Sequence, residues 1–167
     1  MGKTLIVGYG NPDREDDGVA WHILNRVAER LGLPAPGQDI DDLQHLDGTT
    51  HLLCLLQLDP ELAEVIAGYD RVCFVDAHTG AYHEDIRFEA VEGQFQASPF
   101  THHLTPETCL ALAKMLHGGA PPAIVVSVRG YQFGFVHALS SATAKLAETA
   151  AERIISWLSS GNDDRRR

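Results

Sequence analysis

The chain has 167 residues, 44% of them hydrophobic and 22% charged, with a formal net charge of -10. That length and composition fit one folded domain with a substantial core. The negative balance argues against nonspecific binding to nucleic acid or to an anionic membrane, since both require positive surface. Cys54, Cys73 and Cys109 lie far apart inside apolar runs, with no C-x-x-C pair. Neither a disulfide framework nor a zinc knuckle is expected, and free thiols fit a reducing cytoplasm. Residues 1–7 read as a strand rather than a signal peptide, and no apolar run reaches transmembrane length.

Residues 5–8 form the first predicted strand. The turn that follows packs four acids, Asp13, Glu15, Asp16 and Asp17, into five positions. Val19, Ile23, Val27 and Leu31 then recur every four residues, predicting an amphipathic helix that ends at Gly32 and Pro34. Residues 38–48 fit either a long connection or a weak edge strand. The apolar run 52–58 predicts a strand covered on both faces. Asp59 and Pro60 open a second helix, as cap and first position, that runs to Gly68.

Residues 71–76 predict a third strand, and 86–91 alternate as a half-exposed strand does. Thr105 and Pro106 open a helix carrying Leu110, Ala113 and Leu116 inward, closed by Gly118. Residues 123–128 predict a last buried strand, and a long helix covers about 140–158 with Leu146, Ala150, Ile154 and Trp157 on one side. The alternation predicts an α/β fold, a mostly parallel twisted sheet of about five strands between helices on both faces. The domain spans 1–158, and the polar tail 159–167 is expected to be disordered. Right-handed crossovers put the loops after the parallel strands on one rim, with Asp17 just past the first strand and Asp76 at the end of the third.

Gly8 and Gly10 suggest a dinucleotide fold, but Asp13 stands where the third glycine is needed, and four acids would repel a pyrophosphate. Asp16 and Asp17 can serve as helix caps. One cap needs one acid, so at least one acid is left for another role, such as binding a cation. A carboxylate at Asp76, behind residues 72–75, needs a hydrogen bond from the next loop, a helix N-terminus, a cation or a proton. His102 and His103 precede a helix, and of the remaining histidines only His78 and His83 lie near the third strand's end. No Gly-x-Ser-x-Gly elbow is present and Cys73 lies mid-strand, so covalent nucleophilic catalysis has little support.

Three pieces, in order, resemble the hydrogenase maturation proteases, endopeptidases that trim the C-terminal extension of nickel–iron hydrogenase large-subunit precursors. They are Gly8-Tyr9-Gly10-Asn11 with Asp16-Asp17-Gly18-Val19, then Phe74-Val75-Asp76-Ala77, then Thr101-His102-His103-Leu104. The resemblance covers residues 3–158 and implies metal ligands at Asp17, Asp76 and His102, with Asp17 or Asp76 also accepting the proton in catalysis. Asp17 is chosen because it stands six positions beyond Asn11, and His102 because it is followed by x-Leu. The resemblance further implies that nickel arrives inside the precursor, and two carboxylates with an imidazole suit such a borderline divalent ion. A ligating histidine must be neutral, so activity should fall as pH drops through its pKa.

Residues 57–63 resemble the branch that serves soluble, bidirectional NAD-linked hydrogenases. Many members carry Asp-Gly-Gly-Thr after the second strand, where this chain has Cys54-Leu55-Leu56-Gln57, and Gln57 is expected to take that turn's place. A related protease of germination receptors shares the acidic pair, but the histidine loop favours the hydrogenase branch. The rival readings are a nonenzymatic nickel-binding maturation chaperone using the same three residues, and a nucleotide-binding regulator.

Overall fold

The computed structural model describes residues 2–95 and 104–163. Strands β1 (Thr4–Tyr9), β2 (Thr50–Leu55), β3 (Arg71–His78), β4 (Ile86–Val91) and β5 (Ala123–Arg129) alternate with helices in the predicted order. The helices are α1 (Val19–Leu31), α2 (Glu61–Ile66), α3 (Pro106–His117) and α4 (Ser141–Asp163). The strands form one sheet in the order β2-β1-β3-β5-β4, parallel except that β4 runs antiparallel to β5.

Period-two alternation splits the buried strand residues between two layers. Ile6, Leu52, Cys73, Val75 and Val126 pack against α1 and α4. Leu5, Val7, Leu53, Val72, Phe74 and Val125 pack against α2 and α3. β4 is the exposed edge, as its alternation predicts. Among the described residues no helix is long and apolar enough to cross a membrane.

Several boundaries differ from the sequence reading for identifiable reasons. β2 stops at Leu55, the last residue paired with β1, so the apolar positions Leu56 and Leu58 belong to the turn. β3 continues past Asp76 to His78 because β5 goes on pairing with it as far as Arg129. α2 begins at Glu61, whose N–H is accepted by Asp59 Oδ1 at 2.8 Å, and it ends at Ile66. Leu116 is 62% exposed rather than inward, because the buried stripe of α3 passes through Cys109, Leu110 and Ala113 and leaves the last turn outside. The unassigned stretch 38–48 follows an isolated bridge from Gly37 to Leu53. It contains a 3-10 helix, Ile40–His45, closed at its start by a reciprocal Asp39–Asp42 capping box. α4 continues beyond the buried Leu158 to Asp163.

From β1 the chain turns to one side to make β2, then crosses back over β1 to make β3. The strand order therefore reverses between β1 and β3. In open α/β sheets the crevice beyond the carboxyl ends of two such strands is where sites form.

Candidate active site

That crevice holds both predicted acids. Tyr9 ends β1 and Gly10 turns the chain at φ +140°, where a Cβ would collide with the carbonyl oxygen of Asp17. Only glycine allows the acidic loop to fold back this closely. The Asn11 N–H then donates to Asp17 Oδ2 at 2.8 Å, and the Trp21 indole N–H donates to the Gly10 carbonyl at 2.9 Å, tying the turn to α1. Asp17 consequently lines a cleft of about 200 Å³ together with Tyr9, Gly10, Gln57, Asp76 and Leu104. Gln57 thus stands at the cleft wall, in the turn after β2.

Asp76 reaches the cleft from β3. Pairing between β1 and β3 ends at Gly8 and Val75, so Asp76 is the first β3 residue with no neighbour on the β1 side. On its other side it pairs with Ser127 of β5. The Ser127 hydroxyl donates to Asp76 Oδ1, and the Tyr9 hydroxyl donates to Oδ2 at 2.7 Å. Burial pushes the Asp76 carboxyl above the usual carboxylate range, and the two hydroxyl bonds, which act in the opposite direction, offset this only in part. Burial and the adjacent Asp76 likewise raise the Tyr9 phenol far above its ordinary value, so it remains a donor. A buried carboxylate that two hydroxyls leave under-compensated favours either a proton or a cation.

Neither Asp16 nor Asp17 caps α1. Its N-cap is Gly18, without a side-chain bond, and the acids lie in a 3-10 turn, Glu15–Gly18. Asp16 has a role that the sequence reading missed. Its side chain has no exposed surface, and Oδ2 accepts from Tyr131 N (2.8 Å), Gln132 N (2.9 Å) and Ser140 Oγ (2.7 Å), while Oδ1 accepts from Ser140 N at 2.8 Å. Burial alone would raise its pKa, but these donors together lower it to about 2. Asp16 therefore anchors the loop between β5 and α4. Arg14 donates to the Phe133 carbonyl at 2.8 Å, and Glu15 accepts from Gly134 N at 3.1 Å and donates its own N–H to the Val136 carbonyl at 2.9 Å. Glu15 itself is held at φ +52°, which is uncommon for a residue with a side chain.

The remaining candidates are placed elsewhere. His78 is buried beyond Asp76 with Nδ1 accepting from Gly80 N at 3.1 Å, and it does not line the cleft; His83 is exposed. The thiols of Cys54, Cys73 and Cys109 are free and buried. Burial raises all three above the ordinary thiol value, Cys54 and Cys109 to about 12. His102 and His103 lie outside the described residues. Leu104, two positions after His102 in sequence, lines the cleft. Among the described residues no three His, Cys, Asp or Glu side chains gather into a metal-holding group.

No family profile and no curated protein matches the sequence. Solved structures do match. The Escherichia coli hydrogenase maturating endopeptidase HybD is 18% identical, with 95% of this chain and 93% of that one covered and a TM-score of 0.68. The [NiFe] hydrogenase maturation protease HycI of Thermococcus kodakarensis is 22% identical over 92% and 90% of the two chains, with a TM-score of 0.60. A hydrogenase 2 maturation peptidase from a Thaumarchaeota archaeon is 15% identical over 93% and 97%, with a TM-score of 0.59. The chain shares the fold of these endopeptidases along nearly its whole length.

Proposed function

We propose that the protein is an endopeptidase that removes the C-terminal extension of a nickel-loaded [NiFe]-hydrogenase large-subunit precursor. The observation that carries this reading is the convergence of Asp17, from the turn after β1, and Asp76, from β3, on one cleft at the switch point of a sheet shared with maturation endopeptidases. The donor chemistry fits a divalent ion delivered by the substrate. Asp76 is desolvated and oriented at both oxygens, and Asp17 is fixed through one oxygen by Asn11. His102 is proposed as the third ligand, supported by the presence of Leu104 at the cleft wall. Three protein ligands leave positions open for substrate groups or water.

Held by these residues, such an ion would polarise the scissile carbonyl and acidify a water molecule. The residues of the chain hold the geometry. Tyr9 and Ser127 fix the Asp76 carboxylate, and Asn11 fixes Asp17. Whichever carboxylate has an oxygen towards the attacking water takes its proton. The small cleft admits a side chain or two of an extended tail. The partner is proposed to be a precursor of the soluble, bidirectional NAD-linked type, met in the cytoplasm.

The test is incubation with a nickel-loaded precursor, with mass spectrometry used to follow release of a C-terminal fragment. Wild-type protein should release the fragment, nickel-free precursor should remain whole, and Asp17→Asn and Asp76→Asn should each abolish release. Cleavage retained in both variants removes the two acids from the site. Tight nickel binding without any fragment would favour a chaperone instead.

A further inference from the structure

The two edges of the sheet are finished differently. Beyond β2, Gly37 bridges to Leu53, its N–H donating to the Leu52 carbonyl and its own carbonyl accepting from Cys54 N. Beyond β4 no strand follows among the described residues. β4 also lacks the devices that usually blunt an open edge. It contains no proline, its pairing with β5 runs unbroken from Ile86 to Val91, and its two charges, Arg87 and Glu89, have opposite sign.

The phase of the β4–β5 ladder decides which backbone groups face outward. The Arg129 N–H donates to the Asp85 carbonyl at 2.8 Å, in the register that sets Arg87 against Ser127 and Glu89 against Val125. Antiparallel ladders alternate, so Arg87 and Glu89 bond towards β5, while the N–H and C=O groups of Ile86, Phe88 and Ala90 point away from the sheet. These three make no other backbone bond among the described residues. The side chains of Ile86 and Phe88 lie on the α1 and α4 face, where Phe88 and Trp157 line an open groove of about 500 Å³ between β4 and α4. On the other face Arg87 pairs with Glu89.

We propose that β4 pairs with β4 of a second copy of this chain, antiparallel about a two-fold axis at Phe88. Charge selects that centre. An axis at Arg87 sets Arg87 against Arg87 and Asp85 against Glu89, and an axis at Glu89 sets Glu89 against Glu89. Like charges directly opposite are unfavourable. With the axis at Phe88, Arg87 faces Glu89 of the second copy on both sides, Ile86 faces Ala90, and Phe88 faces Phe88. The same register sets the outward groups of Ile86, Phe88 and Ala90 opposite one another, as a bonded ladder requires. An axis between two residues would set an outward-facing residue against an inward-facing one.

The five strands then continue into a sheet of about ten, within the usual range of open sheets. The parallel strands of the two copies run in opposite directions, so the Asp17–Asp76 clefts open at opposite ends of the dimer, on strands that the contact does not touch. Pairing of this kind is independent of what the cleft does.

Sedimentation equilibrium of the full chain, from about 1 µM to a few hundred µM, spans the range expected of an interface below the standard size. Wild type should pass from monomer to dimer. Glu89→Arg, at an exposed position, turns both facing pairs into like charges and should raise the dimer dissociation constant about ten-fold or more. Arg87→Glu combined with Glu89→Arg restores opposite charges and should return it to within about three-fold of wild type. Ala90→Pro removes an outward N–H at a position where an edge strand tolerates proline, and should stay monomeric. All variants should melt cooperatively when dilute, because the β4–β5 bonds are kept. A wild type that stays monomeric overturns the pairing and leaves the edge to a strand of another protein. A dimer unaffected by both Glu89→Arg and Ala90→Pro overturns it too, because association then uses another surface. A double variant no tighter than Glu89→Arg overturns the register.

Discussion

Replacing Asp16 with asparagine keeps the shape of the side chain and removes one acceptor oxygen and the charge. With its oxygen in the Oδ2 position the amide retains Tyr131 N, Gln132 N and Ser140 Oγ, but its NH2 group then faces the Ser140 N–H, donor against donor. One buried unmatched donor costs about 1–3 kcal/mol, and the three retained bonds lose their charge assistance. The carboxyl's fall from 3.8 to about 2 gives an independent scale of about 2 kcal/mol. Asp16 is fully covered, but by a loop rather than by the core, so nearby water softens both figures; about 3 kcal/mol for the variant is the working value.

For a chain of this length that value corresponds to a melting temperature lower by about 6–12 °C. A folded pKa below the unfolded one means that the carboxylate's contribution is complete well above pH 3.8 and fades as pH falls through about 2. The gap between wild type and Asp16→Asn should therefore be about 1 kcal/mol narrower at pH 3 than at pH 7. Calorimetry at both pH values measures it. A melting temperature within about 1 °C of wild type, or a gap that does not depend on pH, refutes the account of Asp16.

Two further outcomes concern the cleft. Asp76→Asn should melt no lower than wild type at pH 7–8, and by calorimetry slightly higher. The folded pKa of Asp76 is raised, so the ionised carboxyl weighs against folding at every pH above that value; a large drop in melting temperature would contradict this. Tyr9→Phe removes the hydroxyl on Asp76 Oδ2 and should slow cleavage about 10- to 100-fold, the usual effect of losing a partner that orients a ligand. Unchanged kinetics in that variant would mean that Tyr9 is only a core residue.

The order of elements was legible in the sequence because each buried strand is a continuous apolar run and each helix repeats every three or four positions. Asp17 and Asp76 could be placed on a common rim because connection handedness alone brings them there. The partners of these acids were harder to read. Tyr9 reads as one more apolar strand residue until the register sets its hydroxyl against Asp76. Ser127 did leave a signal, as the single polar residue in the run 123–128, and the pairing of Asp76 with Ser127 explains it. The role of Asp16 depends on a loop more than a hundred positions away in sequence and carries no local pattern. The 3-10 helix Ile40–His45 is too short for periodicity to reveal, although its capping acids were visible.

Under the proposed function, the three buried thiols also bear on how the metal is released. Thiolate is the form of cysteine that captures soft and borderline ions, and all three thiols here are kept protonated and shut inside the sheet layers and α3. In the cleft, an ion delivered by a substrate would meet the hard oxygen donors of Asp17 and Asp76 rather than thiolate. On the endopeptidase reading, inspection of a cargo therefore need not become theft of it, and the precursor can leave with its nickel in place.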